Sequence, residues 1–126
     1  MKEKQIEEWI SKAEEDYRAS LSLNAKDVPN IICYHSHQCI EKYLKAFLIL
    51  KEEKPPWIHD LIRLCELAKR HDEHLGSFDD LLQKLNPYGI LTRYPGWSAS
   101  AKDVEIAVST MKELRGKLKN ILGLEK

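Results

Sequence analysis

The sequence predicts an all-α protein, an antiparallel up-and-down helical bundle with three long helices and two shorter ones. Apolar residues recur at steps of three and four over most of the chain, which is the spacing of one face of an α-helix. No alternation of period two is long enough to predict a strand. Five Gly and five Pro in 126 residues also provide few turns for a many-stranded sheet. The length suits one domain, residues 1–126.

The first two helices follow from apolar spacing and from the residues that interrupt it. The first is predicted from residue 3 to about residue 24, with charged residues opposite an apolar face formed by Ile6, Trp9, Ile10, Ala13, Tyr17 and Leu21. Asn24–Asp27 breaks this pattern, and Pro29 then occupies a position typical of a first helical turn. The second helix is therefore predicted from Pro29 to about Glu53, because Pro55–Pro56 follows.

The two shorter helices come next along the chain. The third is predicted from Ile58 to about His74, with Gly76 ending it. Ser77 is then expected to cap a fourth helix that runs to about Leu85.

A long irregular stretch, residues 86–97, separates these helices from the last one. The last helix is predicted to begin near Ser100 or Ala101. Its apolar face repeats at steps of three and four through Val104, Ala107, Met111, Leu114, Leu118 and Ile121.

Composition excludes several classes of protein. Twenty Lys and Arg balance twenty Asp and Glu, so the chain lacks the basic excess of a non-specific nucleic-acid coat. The longest uninterrupted apolar run, Ala46–Leu50, is far shorter than the roughly 20 residues of a membrane span. The charged start, Met1–Gln5, shows no targeting segment, and three cysteines without paired spacing indicate reduced thiols. We therefore expect a cytoplasmic protein without a membrane association.

The second helix carries the most informative pattern. His35, Gln38, Lys42 and Lys45 follow one another at steps of three, four and three, which places them on one polar line. One interpretation is the solvated face that any bundle helix needs. The other is a site for an anion or a partner protein. His37 lies on the flank of the apolar arc, where a core or interface histidine is expected.

The order of residue types resembles the HEPN family, the higher eukaryotes and prokaryotes nucleotide-binding domain. Four segments carry the resemblance in chain order: Trp9 with Ala13-Glu14-Glu15-Asp16 and Ala19; the helix signature at His35, Gln38, Glu41, Lys42, Leu44, Lys45 and Ala46; His59-Asp60-Leu61; and Thr92-Arg93-Tyr94-Pro95. Together these segments span nearly the whole chain.

The resemblance implies a helical bundle that is usually dimeric. HEPN proteins occur as partners of minimal nucleotidyltransferases, as fusions, or as ribonuclease toxins. We therefore expect a non-catalytic nucleotide-binding module, or the partner subunit of a minimal nucleotidyltransferase in a toxin–antitoxin-like pair. No cofactor and no metal are expected. The expected nucleotide- or partner-binding residues are His35, Gln38, Glu41, Lys42, Lys45, His59, Arg93 and Tyr94.

A metal-independent ribonuclease is one alternative. Ribonuclease members of the family carry an Arg followed by a His after four to six residues, whereas seven residues separate Arg63 from His71 here. No His follows Arg93. Because the motif is absent, an enzyme would need a pair formed only in space, such as Arg93 with His35 or His59. An Arg93 that merely ties its loop to helix-end carbonyls or to Glu41 would have a structural role instead.

The second helix also predicts an assembly. It is apolar over more than half of its circumference, including the flank with His37 and Leu48, which is more than one neighbouring helix would cover. A symmetric homodimer is therefore expected. A purely structural dimer without any ligand is the remaining alternative.

Overall fold

The computed structural model describes residues 2–124 and contains six α-helices and one 3-10 helix in that range. In chain order they are α1 (Lys2–Ser22), α2 (Pro29–Leu50), α3 (Leu61–Lys69), the 3-10 helix (Glu73–Phe78), α4 (Asp79–Leu85), α5 (Tyr88–Leu91) and α6 (Ala101–Ile121). No strand occurs among these residues. The predicted all-α bundle with three long helices is confirmed.

Helix α2 is the centre of the bundle, because α1, α3, α5 and α6 all pack against it. Its largest buried side chains, Tyr43 and Phe47, lie in the same core as Met111 of α6 and Ala13 of α1. A broad apolar arc is what a helix with neighbours on several sides requires. The architecture thus follows from the composition of one helix.

The apolar flank that predicted a homodimer is covered within the chain. His37 is 1% exposed and Leu48 is fully buried. The imidazole of His37 lies against Gly89 in α5, so closely that a Cβ on Gly89 would come within 2.4 Å of the ring. Because the chain itself buries both residues, this flank gives no support to a dimer, and the homodimer stays a prediction. His37 itself is a core histidine.

Helix α3 is shorter than predicted at both ends, beginning at Leu61 and ending at Lys69. Asp60 caps the start, with its Oδ1 accepting from the backbone N–H of Ile62 at 2.9 Å. The helix ends at Lys69, and Asp72 then caps the separate 3-10 helix. Ser77 was expected to cap α4, but its hydroxyl donates to the carbonyl of His74 instead.

The irregular stretch after α4 contains α5, which the sequence did not predict, and it is pinned to the start of α2. The amide of Asn30 donates to the carbonyl of Trp97 at 3.1 Å and accepts from the N–H of Ala99 at 2.7 Å. Helix α6 begins at Ala101 as predicted, with a capping box between Ser100 and Asp103. These contacts hold the segment that carries Arg93.

Polar contacts join the three long helices at their centre. Arg115 of α6 donates two hydrogen bonds of 2.7 Å to Glu14 of α1, and the hydroxyl of Tyr43 also donates to Glu14. The Arg115 guanidinium holds the pKa of Glu14 below its ordinary value despite partial burial. The guanidinium also stacks on the ring of Tyr17, 3.8 Å from its centroid. Arg115 therefore holds α6 against α1 both by its ion pair with Glu14 and by stacking on Tyr17.

The three cysteines are free and buried, as the sequence predicted. Burial raises the pKa of the Cys33 thiol to about 12 and that of Cys65 to about 11. Both thiols are therefore protonated and unreactive at neutral pH. Over residues 2–124, no helix is long and apolar enough to cross a membrane.

Candidate functional site

The polar line of α2 is largely covered rather than solvated. Gln38 is 8% exposed and Lys45 is 6% exposed, and the side chains of His35 and Lys42 are only partly exposed. Helix α1 lies along this face, with the Trp9 ring centroid 5.5 Å from the Lys45 ammonium. The interpretation as an ordinary solvated face is therefore wrong.

Two buried carboxylates organise this face in the same way. Asp16 of α1 accepts from the Lys42 ammonium at 2.6 Å and lies 2.7 Å from His35 Nδ1. We call these three residues the Asp16 cluster. Because a carboxylate only accepts hydrogen bonds, His35 carries its proton on Nδ1 and directs Nε2 away from Asp16.

Glu41 forms a second cluster with the same composition. Its Oε2 accepts from the Lys45 ammonium at 3.0 Å and lies 2.9 Å from His59 Nδ1. Glu41 is 3% exposed, whereas more than half of the His59 side chain is exposed. The Glu41 cluster thus joins a buried ion pair to a histidine at the surface, and Nε2 of that histidine is the atom left for an external partner.

A third histidine borders the Glu41 cluster from the core side. His37 Nδ1 lies 3.2 Å from Gln38 Oε1 and 3.8 Å from Glu41 Oε1. His37 Nε2 and Glu41 Oε1 are both buried, and neither has a hydrogen-bond partner among residues 2–124. Burial lowers the pKa of His37, so this imidazole is neutral at pH 7.

A groove of about 1020 Å³ opens beside the Glu41 cluster. It lies between the first turns of α1, the second half of α2 and the segment that leads to α3. Its walls include Trp9 and Trp57, and we call it the Trp9–Trp57 groove. The predicted site residues that line it are Gln38, Glu41, Lys42, Lys45 and His59. Small-molecule sites are typically clefts of up to about 1,000 Å³ with mostly apolar walls.

Trp57 is the main site residue that the sequence reasoning missed. Its side chain is 95% exposed, directly after Pro55–Pro56. The two prolines restrict the backbone just before Trp57, which places its Cα at the edge of the groove. A tryptophan directly after Pro55–Pro56 is a sequence signal for an exposed aromatic, although the two prolines served above only to predict the end of α2.

The remaining predicted residues lie elsewhere. His35, Arg93 and Tyr94 do not line the groove. The Arg93 guanidinium lies 5.8 Å from the centroid of the Tyr34 ring, and that ring packs edge-on against His35 at 5.7 Å. Arg93 and His35 therefore both lie against the ring of Tyr34. Its side chain has no ion pair or hydrogen bond within the described residues, so the expected tie to carbonyls or to Glu41 is not formed.

Sequence comparison decides the family. The family model described as HEPN domain matches residues 6–121, which is nearly the whole chain. The chain belongs to the HEPN family. No curated protein matched it in a sequence search.

In this HEPN domain, the signature residues of α2 first serve the fold. Lys42 and Lys45 each neutralise a buried carboxylate, and His35 and His59 each complete one of the two clusters. The Lys42–Asp16 ion pair holds α1 against α2, and the His59–Glu41 contact holds the segment before α3. Lys45 and Glu41 both lie on α2, so their ion pair neutralises Glu41 without joining a second element. Over the described residues, no group of three or more His, Cys, Asp and Glu side chains is placed to hold a metal ion.

Proposed function

We propose that this HEPN domain is a non-catalytic binding module that takes a nucleotide-like ligand in the Trp9–Trp57 groove. The observation that carries the proposal is the exposed indole of Trp57, which follows two prolines and lines a groove with a polar floor. An indole that is 95% exposed gains nothing from the fold, whereas stacking on a planar base removes its apolar face from water.

The groove combines the two kinds of contact that a nucleotide needs. Trp57 and Trp9 supply faces for stacking, and each stacked base contributes roughly 1–3 kcal/mol. Gln38 and the Nε2 of His59 supply hydrogen-bonding atoms at the floor and rim. Lys45 keeps N–H donors beyond the one it gives to Glu41. Together they fit a heteroaromatic base with polar edges.

Calorimetric titration with each common nucleoside and its 5′-monophosphate tests the proposal. The substitution Trp57→Ala should weaken binding about fivefold to a hundredfold, which corresponds to one lost stacking contact. Tyr94→Ala is the matched control, because this aromatic is 60% exposed but lies outside the groove. Failure of the wild type to bind any of these compounds, or equal loss in both variants, contradicts the proposal.

The Arg93 loop supports a second role, as a contact for a minimal nucleotidyltransferase or for a second copy of the chain. Ile90 and Tyr94 are both more than half exposed there, and Arg93 is unpaired within residues 2–124. Aromatic and arginine side chains are the usual energetic centres of protein interfaces. Replacing Ile90 and Tyr94 with Ser should abolish co-purification with a co-expressed neighbouring nucleotidyltransferase, whereas Trp57→Ala should not. Retention of the complex in the double variant contradicts this role.

The Asp16 cluster favours one rival, a metal-independent ribonuclease. His35 is oriented by Asp16 as a general base would be, and Arg93 lies on the far side of the Tyr34 ring. Incubation with single-stranded RNA in the presence of a chelator separates the two functions. A binding module leaves the RNA intact. Cleavage that is lost in both His35→Ala and Arg93→Ala establishes the ribonuclease instead.

A further inference from the structure

Most cations of the Trp9–Trp57 groove are already neutralised by the chain. Lys42 pairs with Asp16, Lys45 pairs with Glu41, and Lys2 lies 3.3 Å from the carboxylate of Glu52. A ligand phosphate would have to compete with these carboxylates, two of which are buried and hold the fold together. The exception is Lys54, which lines the groove and forms no ion pair with the part of the chain described.

A second cavity, of about 430 Å³, shares Glu53, Lys54 and Pro56 with the groove and opens toward α3. Arg63 and Arg70 also line it. They are seven residues apart, which places them on the same face of α3 and its C-cap, two turns from each other. Neither guanidinium forms a hydrogen bond or an ion pair with any residue from 2 to 124.

The charges of this cavity favour an anion. Three cations that have no ion-pair partner among residues 2–124 face it, while one of its carboxylates, Glu53, lies 2.7 Å from Nε2 of His71. Glu66, on α3 between the two arginines, is the other carboxylate in the lining. A phosphate bound here displaces no internal ion pair, and a guanidinium can hold two phosphate oxygens at once.

We propose that Lys54, Arg63 and Arg70 form the anion subsite of this HEPN domain, and that its ligand is a nucleoside polyphosphate. This inference rests on the proposed function for the placement of the base in the groove. Because Lys54 lines both cavities, it is the cation that connects the base and the phosphates. Lys42 and Lys45 then keep their carboxylate partners when the ligand is bound.

Calorimetry with a nucleoside, its 5′-triphosphate and inorganic tripolyphosphate tests the subsite. The wild type should bind the triphosphate about tenfold or more tightly than the nucleoside, as expected for charge-assisted hydrogen bonds. In the double variant Arg63→Gln/Arg70→Gln this ratio should fall to about one, with nucleoside affinity unchanged. Both arginine side chains are exposed and form no ion pair or side-chain hydrogen bond among residues 2–124, so the substitutions should leave the fold intact.

The matched control is Lys12→Gln/Arg18→Gln, which removes two exposed cations of α1 that line neither cavity. This variant lowers the net charge equally and should keep the triphosphate preference. If the double arginine variant keeps the preference too, or if the control loses it equally, the subsite is overturned.

Tripolyphosphate separates this proposal from the proposed function. If no nucleoside binds but tripolyphosphate binds the wild type and not the double arginine variant, the subsite stands and the base site fails. If tripolyphosphate binds both proteins equally, the subsite fails, whatever the nucleoside does.

Discussion

Substitution of Lys45 by methionine tests whether the polar line of α2 holds the fold. Lys45 is 6% exposed, and its ammonium lies between the carboxylate of Glu41 and the ring of Trp9. Methionine has a similar volume and packs well on an indole, so the change removes mainly the charge. Removing one partner of a buried ion pair costs about 3–5 kcal/mol. Because His59 remains hydrogen-bonded to the same Glu41 oxygen in the variant, we expect a cost at the lower end of this range, about 3 kcal/mol.

For a chain of this length, a loss of about 3 kcal/mol lowers the melting temperature by about 10 °C. Circular dichroism melts and urea titrations measure it directly. The double variant Glu41→Leu/Lys45→Met removes both charges and should recover most of the loss, because an apolar pair leaves no buried charge without a partner. Lys2→Met, which removes the exposed partner of Glu52, serves as the control and should change stability by less than about 1 kcal/mol. A Lys45→Met protein as stable as this control refutes the reasoning.

Two further predictions concern α5 and the histidine beneath it. Gly89→Ala should destabilise the fold by about 1–3 kcal/mol in urea titrations, because its Cβ would lie 2.4 Å from the His37 ring. Gly116 lies in α6 with open space around it, so Gly116→Ala should instead stabilise the fold by about 0.5–1 kcal/mol. A destabilisation by both substitutions contradicts the steric explanation. Burial lowers the pKa of His37 in the folded protein from its ordinary value of 6.5. As the pH falls through 6.5, the unfolded chain therefore binds more protons than the folded one. The free energy of unfolding should therefore decrease as the pH drops below about 6.5. In urea titrations at several pH values, His37→Gln should reduce the slope of this free energy against pH. An unchanged slope in the variant assigns the pH dependence to other groups.

The fold could be predicted because periodicity is a local signal. The apolar positions of α1, α2 and α6 repeat at helical spacing within each helix, and α2 is apolar enough to need several neighbours. The end of α3 was placed wrongly because apolar residues continue to Leu75 at plausible spacing. The helix ends at Lys69, and Asp72 then caps a separate 3-10 helix that carries Leu75.

The candidate site was only half predictable, since its geometry depends on contacts between distant residues. The spacing from His35 to Lys45 correctly indicates one line on one helix. It does not show that Asp16 of α1 pairs with Lys42, a residue 26 positions away, or that His59 reaches Glu41 across 18 positions. No pattern within one helix reports such pairings. Arg93 and Tyr94 were grouped with this line by resemblance, and the fold places them away from the groove.

On our proposal, the pairing of cations, rather than their number, determines where this HEPN domain holds an anion. A lysine that neutralises a buried carboxylate has little charge to offer, because an incoming phosphate must first compensate the carboxylate that it displaces. Lys42 and Lys45 are in that position, whereas Arg63 and Arg70 have no partner in residues 2–124. The signature of α2 therefore contributes much of the groove lining, and we propose that the neighbouring cations without a partner among residues 2–124 give the site a preference for a charged ligand. On this reasoning, the substitutions Lys42→Ala and Arg63→Gln act on different properties: the first on the stability of the fold, the second on the affinity for phosphate.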